Sequence, residues 1–132
     1  MPGIVWLIFT TILLLLPGDD LPSNGFFGIE HFDKIVHLGM FTLLTFLFSL
    51  PYLKSDSTKN ELKKASISIA LLIIIYGILM EYAQKYWASD RAFDLIDILF
   101  DSIGSIFGVL VINNRYTYKK IGPDRNRGRN QN

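Results

Sequence analysis

Nine residues in three separated segments carry the groups with which this chain could do chemistry. They are Asp33, Lys34 and His37; Glu81 and Gln84; and Arg91, Asp94, Asp97 and Asp101. Asp33 and His37 are four apart and would share a helix face, and Glu81 and Gln84, three apart, would do the same, with Gly77 one turn from Glu81. In the last segment Asp94, Asp97, Asp101, Gly104 and Gly108 recur at spacings of 3, 4, 3 and 4, a helical stripe acidic at one end and small at the other. Three chemistries are within reach of such a set. Arg91 and Lys34 can hold a phosphate or carboxylate. His37 and Glu81 can act as general base and acid. Asp33, Asp94 and Asp97 offer oxygen ligands suited to Mg²⁺, Ca²⁺ or Zn²⁺. No Ser, Cys or Thr adjoins His37 in the sequence, so catalysis would need water or a metal ion.

Each fragment also has a plainer reading. Asp33 is an ordinary acid for a helix N-terminus, and Lys34 can snorkel to an interface. Gly104 and Gly108 form the small-xxx-small pattern of a close helix contact, and a single histidine on an apolar helix is commonly structural. The combination points to a site, because three distant segments place ionisable groups at one depth. A charge at the bilayer centre costs about 2.5 to 3.5 kcal/mol on the insertion scale. The stripe must therefore face other helices. Lys34 and Arg91 stand against Asp33, Glu81, Asp94, Asp97 and Asp101, a formal excess of −3 that invites a proton, a divalent cation or a cationic ligand.

The elements that carry these residues are apolar. Half of the 132 residues are hydrophobic and the mean hydropathy is +0.32, with long apolar runs between short charged segments. The absence of cysteine excludes disulfides, thiolate catalysis and Cys-type zinc sites. Four segments, roughly 2–17, 34–53, 65–87 and 92–112, are expected to cross a bilayer, for which about 17 to 25 residues are needed. The first is short but lacks the basic flank and small-residue cut site of a signal peptide, and is read as a retained helix. The sequence thus predicts an all-α polytopic membrane protein, a bundle of four transmembrane helices over 1–121, with a polar, basic, disordered tail over 122–132.

Orientation follows from the cations. Ten of the 13 Lys and Arg lie in the loop holding Lys54, Lys59, Lys63 and Lys64 or in the tail from Arg115 onward. The positive-inside rule makes both cytoplasmic, puts the N-terminus on the same side, and leaves the ionisable cluster at the outer face.

With these positions set out, the chain resembles the VanZ-like family of membrane proteins. The matching stretches are Asp33-Lys34-Ile35-Val36-His37 with Phe41, then Tyr76 to Gln84, then Arg91 to Gly104 and on to Gly108. The motifs DKxxH, ExxQ and RxxDxxD, in that order, carry the resemblance. It departs at Asp101, where the family usually has Asn. The resemblance implies a four-helix bundle in the bacterial cytoplasmic (inner) membrane and an association with cell-envelope phenotypes, including low-level resistance to glycopeptides such as teicoplanin. It implies no particular reaction.

Three functions remain open on these grounds. The leading one is an envelope protein that binds an amphiphile, namely a phosphate-bearing lipid, a lipid-linked cell-wall intermediate or a glycopeptide-type antibiotic. The second is a metal-assisted or acid/base enzyme acting on a lipid-linked substrate, and the third a scaffold or transport subunit. Membrane lipids are the expected partners. No nucleic acid is expected, and the sequence leaves any metal and the oligomeric state open.

Overall fold

The computed structural model describes residues 1–16, 32–87 and 93–121, and every element in it is helical. Helix α1 is Pro2–Leu15, α2 Phe32–Lys54, α3 Lys59–Trp87 and α4 Leu95–Ile121. Three of these, α2, α3 and α4, are long and apolar enough to cross a membrane. Helix α1 has 14 residues, a length of about 21 Å against a hydrocarbon core of about 30 Å. The first connection, Arg91 and the tail lie outside the described residues.

Helix α3 outruns its apolar segment at the start and α4 at the end, whereas α1 stops at Leu15, short of the predicted 17, and α4 begins at Leu95, after the predicted 92. Helix α3 begins at Lys59, six residues before the predicted span, because Thr58 and Glu61 form a capping box. The Glu61 N–H donates to Thr58 Oγ1 at 3.3 Å and the Thr58 N–H to Glu61 Oε2 at 2.7 Å, which satisfies two donors at the helix start. Helix α4 extends nine residues past the predicted 112. In these turns Asn113 Nδ2 bonds the Val109 carbonyl at 2.8 Å, and Lys119 Nζ bonds the Leu53 carbonyl of α2 at 2.9 Å.

Long-range bonds set the topology. Lys34 meets Asp97, His37 meets Asp101, Thr42 meets Gly104 and Leu53 meets Lys119, sequence separations of 63, 64, 62 and 66. So constant an offset means that α2 and α4 run parallel. Helix α3 runs against both, with Glu81 beside Asp94 and Ser66 beside Asn113. Helix α1 runs alongside α3, held by Thr11 to Tyr76 and by Leu14 to Gln84, and is tied to α2 by the Trp6 indole, which donates to the Met40 carbonyl at 3.1 Å.

The bundle is apolar outside and mixed inside, as lipid demands. Leu71, Leu72, Ile75 and Leu79 of α3 and Leu99, Ile106 and Leu110 of α4 are exposed, while Lys34, His37, Glu81, Gln84, Asp97 and Asp101 are buried. Buried beside them are Met40, Phe41, Leu44, Ile73 and Met80, and towards the other end Leu62, Ile112 and Tyr116. Helix α4 closes on α2 through its glycines. A Cβ at Gly104 would lie 2.5 Å from the Leu38 carbonyl oxygen, and one at Gly108 2.7 Å from that of Thr42. The expected small-residue stripe is therefore a backbone contact, reinforced by Thr42 Oγ1, which donates to the Gly104 carbonyl at 3.0 Å.

Candidate functional site

Parallel α2 and α4 bring the starts of both helices to the end of the bundle where α3 finishes, and this assembles the polar layer. Lys34, in the first turn of α2, points inward and is only 8% exposed. Its ammonium lies 2.8 Å from Asp97 Oδ1, 3.0 Å from Asp94 Oδ2 and 3.5 Å from Asp33 Oδ2. Charge-assisted bonds of this length offset the loss of water around the lysine.

Asp94 immediately precedes α4 and caps it. The Ile96 N–H donates to Asp94 Oδ1 at 2.8 Å, and that bond, followed by Lys34, holds the Asp94 carboxyl below the usual carboxylate range. The Asp94 N–H in turn donates to Glu81 Oε1 at 2.6 Å, which locks the end of α3 to the start of α4. One turn deeper, His37 Nδ1 and Asp101 Oδ1 are 2.9 Å apart, with the Phe41 ring nearly parallel to the imidazole. Gly77 of α3 leaves the space that Asp101 fills. A Cβ there would meet Asp101 Oδ2 at 2.9 Å and Phe41 Cε1 at 2.9 Å.

Of the nine residues singled out, Lys34, His37, Glu81, Asp94, Asp97 and Asp101 converge in this layer. Asp33 sits at its rim, its side chain 53% exposed. The face shared by inward groups on α2 is thus that of Lys34 and His37, three apart, not that of Asp33 and His37. Gln84 turns towards α1 and donates to the Leu14 carbonyl at 2.7 Å, satisfying one of the open acceptors at that helix end. Arg91 lies outside the described residues. Among the described residues, no three His, Asp or Glu side chains are grouped to hold a metal ion. The Lys34 ammonium occupies the point between Asp94 and Asp97 that a cation would take.

Sequence reasoning passed over the bonds that fix the layer from behind. Tyr76 and Thr11 share a hydroxyl–hydroxyl bond of 2.8 Å that pins α1 to α3 one residue before Gly77. Tyr76 adjoins Gly77 in the quoted motif, but nothing in the spacing named Thr11 as its partner.

The profile of the VanZ/LLP1 family matches residues 4–116. This chain belongs to the VanZ/LLP1 family. All nine residues of the candidate site fall within the matched span. No curated protein and no solved structure matches the chain. Membership in the VanZ/LLP1 family brings membrane-helix character with it and leaves the chemistry to be argued from the polar layer.

That layer makes a specific prediction at Asp101. Asparagine keeps the side-chain oxygen that faces His37 Nδ1, so Asp101→Asn in this VanZ/LLP1 protein should change stability by less than about 1 kcal/mol, whereas Asp101→Leu should cost about 1 to 3 kcal/mol by leaving Nδ1 without that partner. Thermal unfolding in detergent separates the two. A loss in the Asn variant as large as in the Leu variant would show that the carboxylate charge is needed.

Proposed function

We propose that this protein crosses the bacterial cytoplasmic membrane four times, α1 being the short fourth span, with both termini inside, and that its outer polar layer receives the head of an envelope amphiphile. The topology rests on the lysine-rich loop and basic tail. The binding role rests on one observation above all: five carboxylates share one layer with a single buried lysine that pairs with three of them, and Asp33 and Asp94, the least covered, stand at the open rim. Every other acid in the layer is buried and has a bonding partner. Asp97 and Asp101 hold Lys34 and His37, and Glu81 holds the Asp94 backbone. These groups form the platform; the rim faces the ligand. Its excess of negative charge suits an amphiphile that carries an ammonium, such as an ethanolamine headgroup, a lipid-linked cell-wall intermediate with a free amine or a glycopeptide-type antibiotic, and Arg91, three residues before Asp94 in the sequence, has the chemistry to take a phosphate.

Catalysis is a second reading with one observation in its favour, the His37–Asp101 pair, in which a carboxylate at Nδ1 orients an imidazole as it does in general-base sites. Amphiphile binding and catalysis separate in one experiment on the purified protein. Phosphatidylethanolamine, phosphatidylglycerol, a lipid-linked peptidoglycan precursor and teicoplanin are added in turn and thermal stability is followed. An amine-bearing ligand at 100 times its Kd should stabilise the protein by about 2.7 kcal/mol, Asp33→Asn should remove most of that gain, and the ligand should be recovered unchanged. Equal stabilisation of the variant, or none by any of the four, would sink the rim as a binding site; conversion of the ligand would favour catalysis.

A further inference from the structure

Glycines 3, 77, 104 and 108 are each explained by a neighbour that a side chain would strike, but Gly39 is not: a Cβ there meets nothing within 4 Å. Glycine in a helix interior is a net cost, so a glycine with no packing partner calls for another reason. What its missing side chain leaves open is a groove of about 440 Å³ on the outside of the bundle. Leu38, Gly39, Thr42, Leu43 and Phe46 of α2 form one wall, and Phe107, Val111 and Arg115 of α4 the other. These are two helical stripes, running side by side because α2 and α4 are parallel. The volume lies within the range of roughly 300 to 1,000 Å³ typical of ligand pockets, and the walls are almost wholly apolar apart from Arg115.

The position of that arginine identifies the occupant. Arg115 is exposed, and among the described residues it makes no hydrogen bond or ion pair. It follows Asp94, the residue that caps the start of α4, by 21 residues, a distance of about 31 Å, so it stands at the opposite bilayer interface from the polar layer. An acyl chain laid along the groove from Leu38 towards Phe46 brings its headgroup to the guanidinium, whose planar donors match phosphate oxygens. Lys119, one turn beyond and bonded to the Leu53 carbonyl, adds a second positive charge at that end. We propose that the α2–α4 groove is a binding site for one anionic phospholipid of the inner leaflet, with Arg115 on its phosphate and Gly39 as the residue that admits its chain. This goes beyond the amphiphile reading and uses the other end of the protein; it rests on the proposed orientation only for the choice of leaflet.

The test uses the full chain in detergent, titrated with phosphatidylglycerol or phosphatidylcholine of matched acyl chains and read by native mass spectrometry. The wild type should bind one phosphatidylglycerol in preference to phosphatidylcholine. Arg115→Gln should weaken phosphatidylglycerol binding roughly fivefold, the worth of one basic residue at an anionic surface, and leave phosphatidylcholine unchanged. Gly39→Leu, which fits the open space and favours the helix, should weaken both lipids while thermal stability is kept. Arg115→Lys should retain part of the preference. Equal binding of the two lipids by the wild type, a preference that survives Arg115→Gln, or a dimer that Gly39→Leu disrupts would each overturn the assignment, the last by showing that a second copy covers the groove.

Discussion

Lys34→Met should destabilise the protein by about 3 to 5 kcal/mol, the cost of breaking a buried ion pair from one side only. Removal of the ammonium leaves Asp97 and Asp94 facing each other across the space it filled, with Asp33 close by. Asp97 is buried and cannot turn to water. The loss should appear as a fall in thermal stability in detergent, and the double variant Lys34→Met with Asp97→Leu should recover much of it, because an apolar pair of similar volume replaces the ion pair. Equal stability of the single variant and the wild type would mean that the lysine is not the cation that holds the layer together.

Gly104→Val should be nearly as damaging, through geometry instead of charge. The added Cβ would lie 2.5 Å from the Leu38 carbonyl oxygen and 3.1 Å from its Cα, and backbone cannot rotate out of the way as a side chain can. The helices must separate, at a typical overpacking cost of about 1 to 3 kcal/mol, and the separation breaks the Thr42–Gly104 bond. Because Asp97 and Asp101 ride on the same helix, Lys34 and His37 would lose their partners as well. Gly104→Ala should fall between valine and wild type. Gly39→Ala, one residue beyond Leu38 on α2, should be neutral or slightly stabilising, and a thermal series over the four proteins checks the order.

The three long helices and the gathering of the cluster at one end of the bundle were legible because lipid imposes a simple pattern. Apolar runs of sufficient length mark α2, α3 and α4, and ionisable residues at three of their ends stand out against them. The 3, 4, 3, 4 spacing of the last stripe placed Asp97, Asp101, Gly104 and Gly108 on an inward face, where the structure puts them. Pairings were legible only in outline: Lys34 stands as a counterion to the acids and His37 as a hydrogen-bond partner, but which acid each takes does not show in the sequence. Asp33 lies at the right spacing from His37, yet Asp101 takes the histidine, because the helix start rotates Lys34 inward and Asp33 out. Gln84 belongs to the ExxQ motif but bonds a main-chain carbonyl of α1, a partner that has no side-chain signature in a sequence. The polar extensions of α3 and α4 were missed for a related reason: hydropathy measures what lipid covers, whereas the Thr58–Glu61 box and Asn113 prolong a helix beyond it.

The long offset between partners has a consequence for how the chain is made. The bonds from Lys34 and His37 to α4 span 60, 63 and 64 residues. At about 5 to 20 residues per second, synthesis of that interval takes on the order of 3 to 12 s. Throughout it, Lys34 and His37, a cation and an imidazole near the start of α2, have no acids of α4 to meet them. Lys34 must wait at the interface, its stem stretched towards the headgroups, until Asp94 and Asp97 arrive. The final helix therefore acts as a latch, and a chain cut short before it leaves Lys34 without Asp94 and Asp97.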